Sequence, residues 1–301
     1  MAKYVCRMKT ETCLFSFASY AVSMFCAGFY LLDWSSDYFA TFRSLLRLLA
    51  YIWLGSMLKV AISSSGCLHR YGAHTAYKTD GWVKYLICAV GALCNQGGIV
   101  WWSSHHRCHH KNCDLPLDPH SPKLVGLENA FAFFNSNREL MKVNEDYVPR
   151  HLQDDKIVWF LDTFYWAFCT LEMIAAYAWF GWYGLFVSYT TGWWAQVGGM
   201  IFNVAFHLEE KTSNGKCIAS DGGTWIHSQL HYPAFFLISI FAPTIAPFVG
   251  EYYHEIHHVK PQLAKRDQLD VGWYLWVYPL MKLGLIWDVY GYESQTVKKV
   301  I

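Results

Sequence analysis

Charge is what this chain has least of. Only 16% of its 301 residues are Asp, Glu, Lys or Arg, against roughly 25% in soluble domains. The 24 basic and 23 acidic side chains nearly cancel, to a net +1. No basic stripe is present to follow a phosphate backbone, so no nucleic-acid partner is expected. Linkers, internal repeats and low-complexity runs are also missing, which reads as one domain over residues 1–301. Regular cysteine spacing is absent as well: ten Cys fall irregularly, mostly in apolar stretches, and read as reduced thiols. What is present is apolar and aromatic, with 54% hydrophobic residues, 18% aromatic residues and a mean hydropathy of +0.14. Rings in this number suit membrane interfaces and the walls of a long apolar pocket.

Cys13 to Leu32 carries no charge and has about the twenty residues that a helix needs to cross roughly 30 Å of hydrocarbon. A second span runs from about 45 to 65, where Lys59 must snorkel or face the protein. Met173 to Phe206 is uncharged, too long for one crossing, and broken at Gly181, Trp182, Tyr183 and Gly184. It reads as two spans, 157–180 and 183–206, joined by a tight turn, with Asp162 and Glu172 facing the bundle. Trp82 to Trp102 and Phe235 to Val249, the latter holding Pro243 and Pro247, read as interfacial. Lys3, Arg7 and Lys9 precede the first span, ten Lys or Arg lie from Arg70 to Lys156, and eight follow the fourth span. By the positive-inside rule both termini, 66–156 and 207–301 are cytosolic. The expectation is an all-α integral membrane protein: four transmembrane helices, a retained N-terminal anchor and a cytosolic helical cap.

Fourteen His among so few charges form a pattern. His69 and His74 follow the second span, His106, His109 and His110 form His-x-x-His-His, and His254, His257 and His258 repeat it. Positions i, i+3 and i+4 share a helix face, so each triplet can aim three imidazoles at one locus. His207 ends the fourth span, with Asn203 one turn earlier. A lone interfacial His usually satisfies headgroups or carbonyls; nine at these spacings on one side of the membrane read as metal ligands. Imidazole suits iron, zinc, copper and nickel, so ligand type alone does not choose the metal. Eight or more exceed the capacity of one ion, which points to two. Cys108 and Cys113, flanking the second triplet, read as small buried hydrophobes.

The boxes at 69–74, 106–110 and 254–258 and Asn-x-x-x-His at 203–207, with Gln96, Trp102 and Asp118-Pro119-His120, resemble the membrane fatty acid desaturases of the acyl-CoA Δ9 type. The likeness runs from about residue 15 to 290. It implies two iron ions held by His69, His74, His106, His109, His110, His207, His254, His257 and His258, with Asn203 acting through a water. It also implies a bent acyl tunnel lined by Trp102 and Gln96. Ser104 and His105 depart from the resemblance, standing where animal members carry an Arg and an acid near the acyl head group. Glu255 takes the place of an Asn.

The resemblance implies that a long-chain acyl-CoA or acyl lipid gains a cis double bond at the expense of O₂. Iron and O₂ can oxidise an unactivated methylene, whereas redox-inert zinc cannot. No His-Pro-Gly-Gly signature is present, so the electrons are expected from cytochrome b5 or a ferredoxin. Related di-iron hydroxylases, acetylenases and alkene-forming decarboxylases would share the same boxes. His254-Glu255-x-x-His258 also fits a zinc intramembrane protease, with Glu255 as base and Asp270 as third ligand, but that leaves the other motif histidines idle. A bis-His haem protein is a further, non-enzymatic alternative. Glu251-x-x-His254 and Glu255-x-x-His258 mimic a carboxylate di-iron pattern, which needs two helices. His120, His151, His227 and His231 lack paired spacing and read as loop or interfacial residues. The final Lys298-Lys299-Val300-Ile301 resembles a dilysine retrieval signal, which implies the endoplasmic reticulum membrane in a eukaryote.

Overall fold

The structure is a computed structural model that describes residues 36–113, 115–119, 121, 124, 142–207 and 241–292. The expected span at 13–32, His120, His227, His231, Lys298 and Lys299 lie outside the described residues, as do the side chains of Asn203 and Glu255. Among the described residues the protein is helical, and its one β-bridge joins Lys78 to Trp287.

Helix α1 (Tyr38–Lys59) begins where Asp37 accepts from the Phe39 amide at 2.9 Å. It runs without interruption into a π-wound segment, Val60–Ala73, to make one 36-residue helix. Long, apolar and only 28% buried over its most apolar window, it is the one continuous described helix able by length and composition to cross a membrane. Its outer face carries Phe39, Leu46, Leu49 and Leu54 to the exterior, while the π segment is buried almost throughout.

Helices α2 (Gly81–Ala92) and α3 (Ile99–Asn112) pack against the π segment, with Leu68, Tyr71, Ile87, Ile99 and Val100 meeting in the core. The turn between them places the α3 N-terminus against α4 (Lys156–Thr163). There Asp162 accepts from the Val100 and Trp101 amides at 2.6 and 3.1 Å, capping the helix that carries the second histidine box.

The apolar stretch Tyr165–Ala205 is a hairpin, α5 (165–180) and α6 (182–205), broken at Gly181 with φ 61° and ψ −151°. The fold-back follows from one contact: Lys59 Nζ lies 2.7 Å from Glu172 and 3.3 Å from the Ser188 carbonyl. In a straight helix those two positions would stand about 24 Å apart. Lys59 therefore faces the protein, and Glu172 is its partner. Helix α4 with the stretch 165–199 also passes the membrane-crossing test as a pair bent by 60°. Beyond α7 (Phe241–Val249) and α8 (His254–Val259), a second π segment, Trp273–Val277, leads into α9 (Tyr278–Lys282).

Candidate metal centre

The π winding decides what His69 and His74 can do. Five residues apart, they would diverge by about 140° around an α-helix. Here the His74 amide donates to the His69 carbonyl at 3.0 Å, an i+5 to i bond that stacks one residue above the other. Their rings lie 4.8 Å apart.

Around them the nitrogens converge. Nε2 of His69 is 3.0 Å from Nε2 of His257, which is 3.0 Å from Nε2 of His110, and His74 Nε2 is 2.9 Å from that of His106. These five form one cluster. In the other, His254 Nε2 lies 3.1 Å from His207 Nε2 and 3.2 Å from His258 Nε2. His109, grouped with His207 and Cys113, adjoins it to make four imidazoles, its ring 4.6 Å from that of His207 and 5.5 Å from that of His258. The two groups abut, with the His110 and His258 rings stacked at 4.4 Å.

Each triplet is thus divided, contrary to the expectation of one locus per triplet. His106 and His110, one α-turn apart, go to the five-membered cluster while His109 crosses to its neighbour. His254 and His258 go to the four-membered cluster while His257 crosses back. The i+3 imidazole sits to one side of the i, i+4 stripe, so two abutting helices interleave their imidazoles.

The donor set fits metal ions. Two nitrogens at roughly 2.1 Å from one ion, at right angles, are about 3.0 Å apart, the spacing seen here. Burial is the main reason His69 is held down to about 4, and it also drives His74, His106, His110, His257 and His258 well below the usual histidine range. They are therefore neutral at pH 7, as ligation requires.

Carboxylates fix the tautomers of His69, His109 and His254. Glu251, missed as a site residue, accepts from His69 Nδ1 at 2.9 Å and His254 Nδ1 at 3.4 Å, one ring from each cluster, and pairs with Arg266. Burial alone would raise Glu251, but Arg266 and the two imidazoles outweigh it and hold the carboxyl well below its usual range. Asp118 takes His109 Nδ1 at 2.9 Å. With Nδ1–H donating outward, each Nε2 lone pair faces the cluster.

A cavity reaches both clusters, touching His69, His106, His109, His207 and His254. Val60, Phe202, Ile245 and Val249 make much of its wall apolar, and Trp102 and Gln96 line it. Gln96 is held by Ser64 Oγ at 2.9 Å and Trp102 Nε1 at 3.2 Å, and donates to the Ala195 carbonyl at 2.9 Å.

Two expectations are corrected. Asp270 is no third zinc ligand, because it is fully buried 2.7 Å from Arg70 Nη2. Cys113 is disulfide-bonded, so it is not a reduced thiol, although its sulfur lies within 4.8 Å of the ligating nitrogens of His109 and His207. His151, read as a loop or interfacial residue, is half-buried, with its ring 4.8 Å from that of Tyr71, and stands outside both clusters.

No family model matches the chain. It is similar to the hex-5-enoyl-[acyl-carrier protein] acetylenase of Moorena producens (strain JHB), 28% identical over 267 residues, covering 80% of this chain and 75% of that protein. It is 26% identical over 276 residues to the sn-2 palmitoyl-lipid 9-desaturase of Nostoc sp. (strain 36), covering 87% of each. With the acyl-CoA C20 Delta5-desaturase of Anemone leveillei it shares 28% over 227 residues, 73% of this chain and 67% of that one. Desaturases are oxidoreductases, and these relatives are named for acyl groups on three different carriers.

Proposed function

We propose that the protein is a di-iron fatty acyl desaturase, removing two hydrogens from a saturated long-chain acyl group to leave a cis double bond near its middle, of the Δ9 type. The observation that carries the reading is the meeting of two histidine clusters with the end of an apolar cavity. His69, His74, His106, His110 and His257 would hold one iron and His109, His207, His254 and His258 the other, with Asn203 acting through water. When bound, the irons supply O₂-dependent oxidation of an unactivated C–H bond.

The remaining work belongs to the chain itself. Its cavity fixes which methylenes lie beside the clusters, and proximity selects the bond. Gln96, held by three hydrogen bonds, accepts from Trp102 Nε1 and holds that ring in the wall. CoA is the carrier the resemblance favours. Ser104 and His105 offer it nothing, being buried and bonded to the carbonyls of Asn144 and Trp101. An acyl lipid is the competing carrier. A zinc protease at His254 and His258 would leave the five-membered cluster without a task.

Membrane residence is supported by apolar rings and chains on outer helix faces, among them Phe160, Leu171 and Ile174. Trp179, Phe180, Trp182 and Tyr183 crowd the hairpin tip at Gly181, as in an interfacial aromatic belt. We read α1, α4 with α5, and α6 as three of four spans, 13–32 being the first. The histidines lie in a cytosolic cap, in the endoplasmic reticulum if the source is eukaryotic.

Expression in cells auxotrophic for unsaturated fatty acids, followed by chain analysis of total lipid, tests the reading. A new cis alkene and rescued growth are expected, with both lost in His110→Ala and His258→Ala. No new unsaturation with iron and a reductant supplied overturns it, and a hydroxylated or acetylenic product moves it to a sister reaction.

A further inference from the structure

The disulfide at Cys113 stands in an unusual place. On the proposed topology α3 faces the cytosol, where thiols are kept reduced and the disulfides that do form are usually transient, catalytic or redox-sensing. It also stands at the metal centre. Cys113 caps the C-terminus of α3, three residues past His110, and is 6% exposed. Its Sγ and the ligating nitrogens of His109 and His207 all lie within 4.8 Å of one another. A sulfur at roughly 2.3 Å and a nitrogen at roughly 2.1 Å from one ion stand about 3 to 4.4 Å apart, so a small side-chain movement brings the sulfur to a shared ion. Cys108 differs: its free thiol donates to the Leu117 carbonyl at 3.2 Å and belongs to no cluster among the described residues. Cys67, Cys88, Cys94 and Cys169 are free as well, so the sulfur bonded to Cys113 lies outside the described residues.

We propose that Cys113 is a reserve ligand under redox control: its disulfide keeps the sulfur off the four-imidazole cluster, and reduction releases a thiolate that binds the ion there. The proposal rests on the two-ion reading. With four imidazoles against five, this cluster leaves an ion one more place for a donor than its neighbour does. A disulfide sulfur carries no charge to fill it, whereas a thiolate is a strong, soft ligand. A dithiol reductant supplies two electrons and two protons: the S–S bond breaks, two thiols form, and the dithiol becomes a disulfide. On meeting the ion the Cys113 thiol loses its proton to solvent. The thiolate then occupies a position that a catalytic site must keep open. The reduced protein is thus the resting form and the disulfide form the working one.

The test uses the full-length protein in two forms. One is oxidised with glutathione disulfide. The other is reduced with a phosphine, which takes the oxygen of one water to become its oxide and is then removed. Both are loaded with cobalt(II), whose thiolate complexes show a sulfur-to-metal charge-transfer band. Peptide mass spectrometry should find Cys113 joined to another cysteine of the chain in the first form and free in the second. The band should appear only in the reduced form. It should be lost in Cys113→Ser, and lost again when reduced wild type is alkylated before loading, a control that serves if the variant fails to fold. With iron, alkene formation should fall on reduction in the wild type and be indifferent to it in Cys113→Ser. A Cys113 that never pairs, reduction without a band, or a band that survives in Cys113→Ser overturns the proposal. Failure of both forms to take up cobalt sinks the metal-centre reading instead. Absence of alkene from both iron-loaded forms, with the cobalt band present, sinks the desaturase reading alone.

Discussion

Glu251 touches no substrate-sized space that its neighbours do not also reach, yet it holds Nδ1 of a histidine in each cluster. Its carboxylate keeps the His69 and His254 lone pairs aimed inward, which makes it a positioning residue. Glu251→Gln preserves shape but can offer only one oxygen where two rings now donate. The expected outcome is a loss of metal affinity of about 10- to 100-fold, read as iron per chain after dialysis and as an altered visible spectrum. Unchanged iron content would remove Glu251 from this role. The nine histidines were legible in the sequence because their spacings are periodic. Glu251 was visible only as part of a Glu-x-x-His match, and nothing local distinguishes an orienting carboxylate from a ligand or a surface acid. Cys113 was illegible for a related reason, since a disulfide is a relation between two distant residues.

The element that sequence periodicity could not supply is the π segment Val60–Ala73. Reading at 3.6 residues per turn leaves His69 and His74 on different faces, and only the widened ladder aligns them. The hairpin was more open to reading, because Gly181 and Gly184 interrupt a stretch too long for one crossing. At Gly181 the backbone lies in a region that is essentially Gly-only. Gly181→Val should therefore cost about 1–3 kcal/mol, lowering the thermal unfolding midpoint in detergent. Meanwhile metal stoichiometry in the surviving folded protein should stay constant, because Gly181 lies at the opposite end of α6 from His207. An unchanged midpoint would mean that α5 and α6 turn by another route.

At the scale of the whole molecule, buried charge pairs hold the cap together around the clusters. Asp270 pairs with Arg70, neither exposed at all, and also accepts from the Arg266 and Trp273 amides. Asp270→Ala would leave the Arg70 guanidinium buried without its carboxylate, a change worth about 3–5 kcal/mol. A clear fall in the unfolding midpoint, with loss of iron following from loss of fold, is expected by calorimetry. Retention of the wild-type midpoint would show that Arg70 finds another partner. Sequence periodicity located this region without revealing the pairing, because Arg70 and Asp270 are two hundred residues apart.

The interleaving of the triplets reaches further than geometry. Since α3 and α8 each send imidazoles to both clusters, an ion bound at one would immobilise both helices and so prepare the other. The entropy of ordering would be spent once, and a second ion would meet a scaffold already arranged. Titration with ferrous iron should then be sigmoidal, passing from empty to doubly filled with little singly occupied protein between.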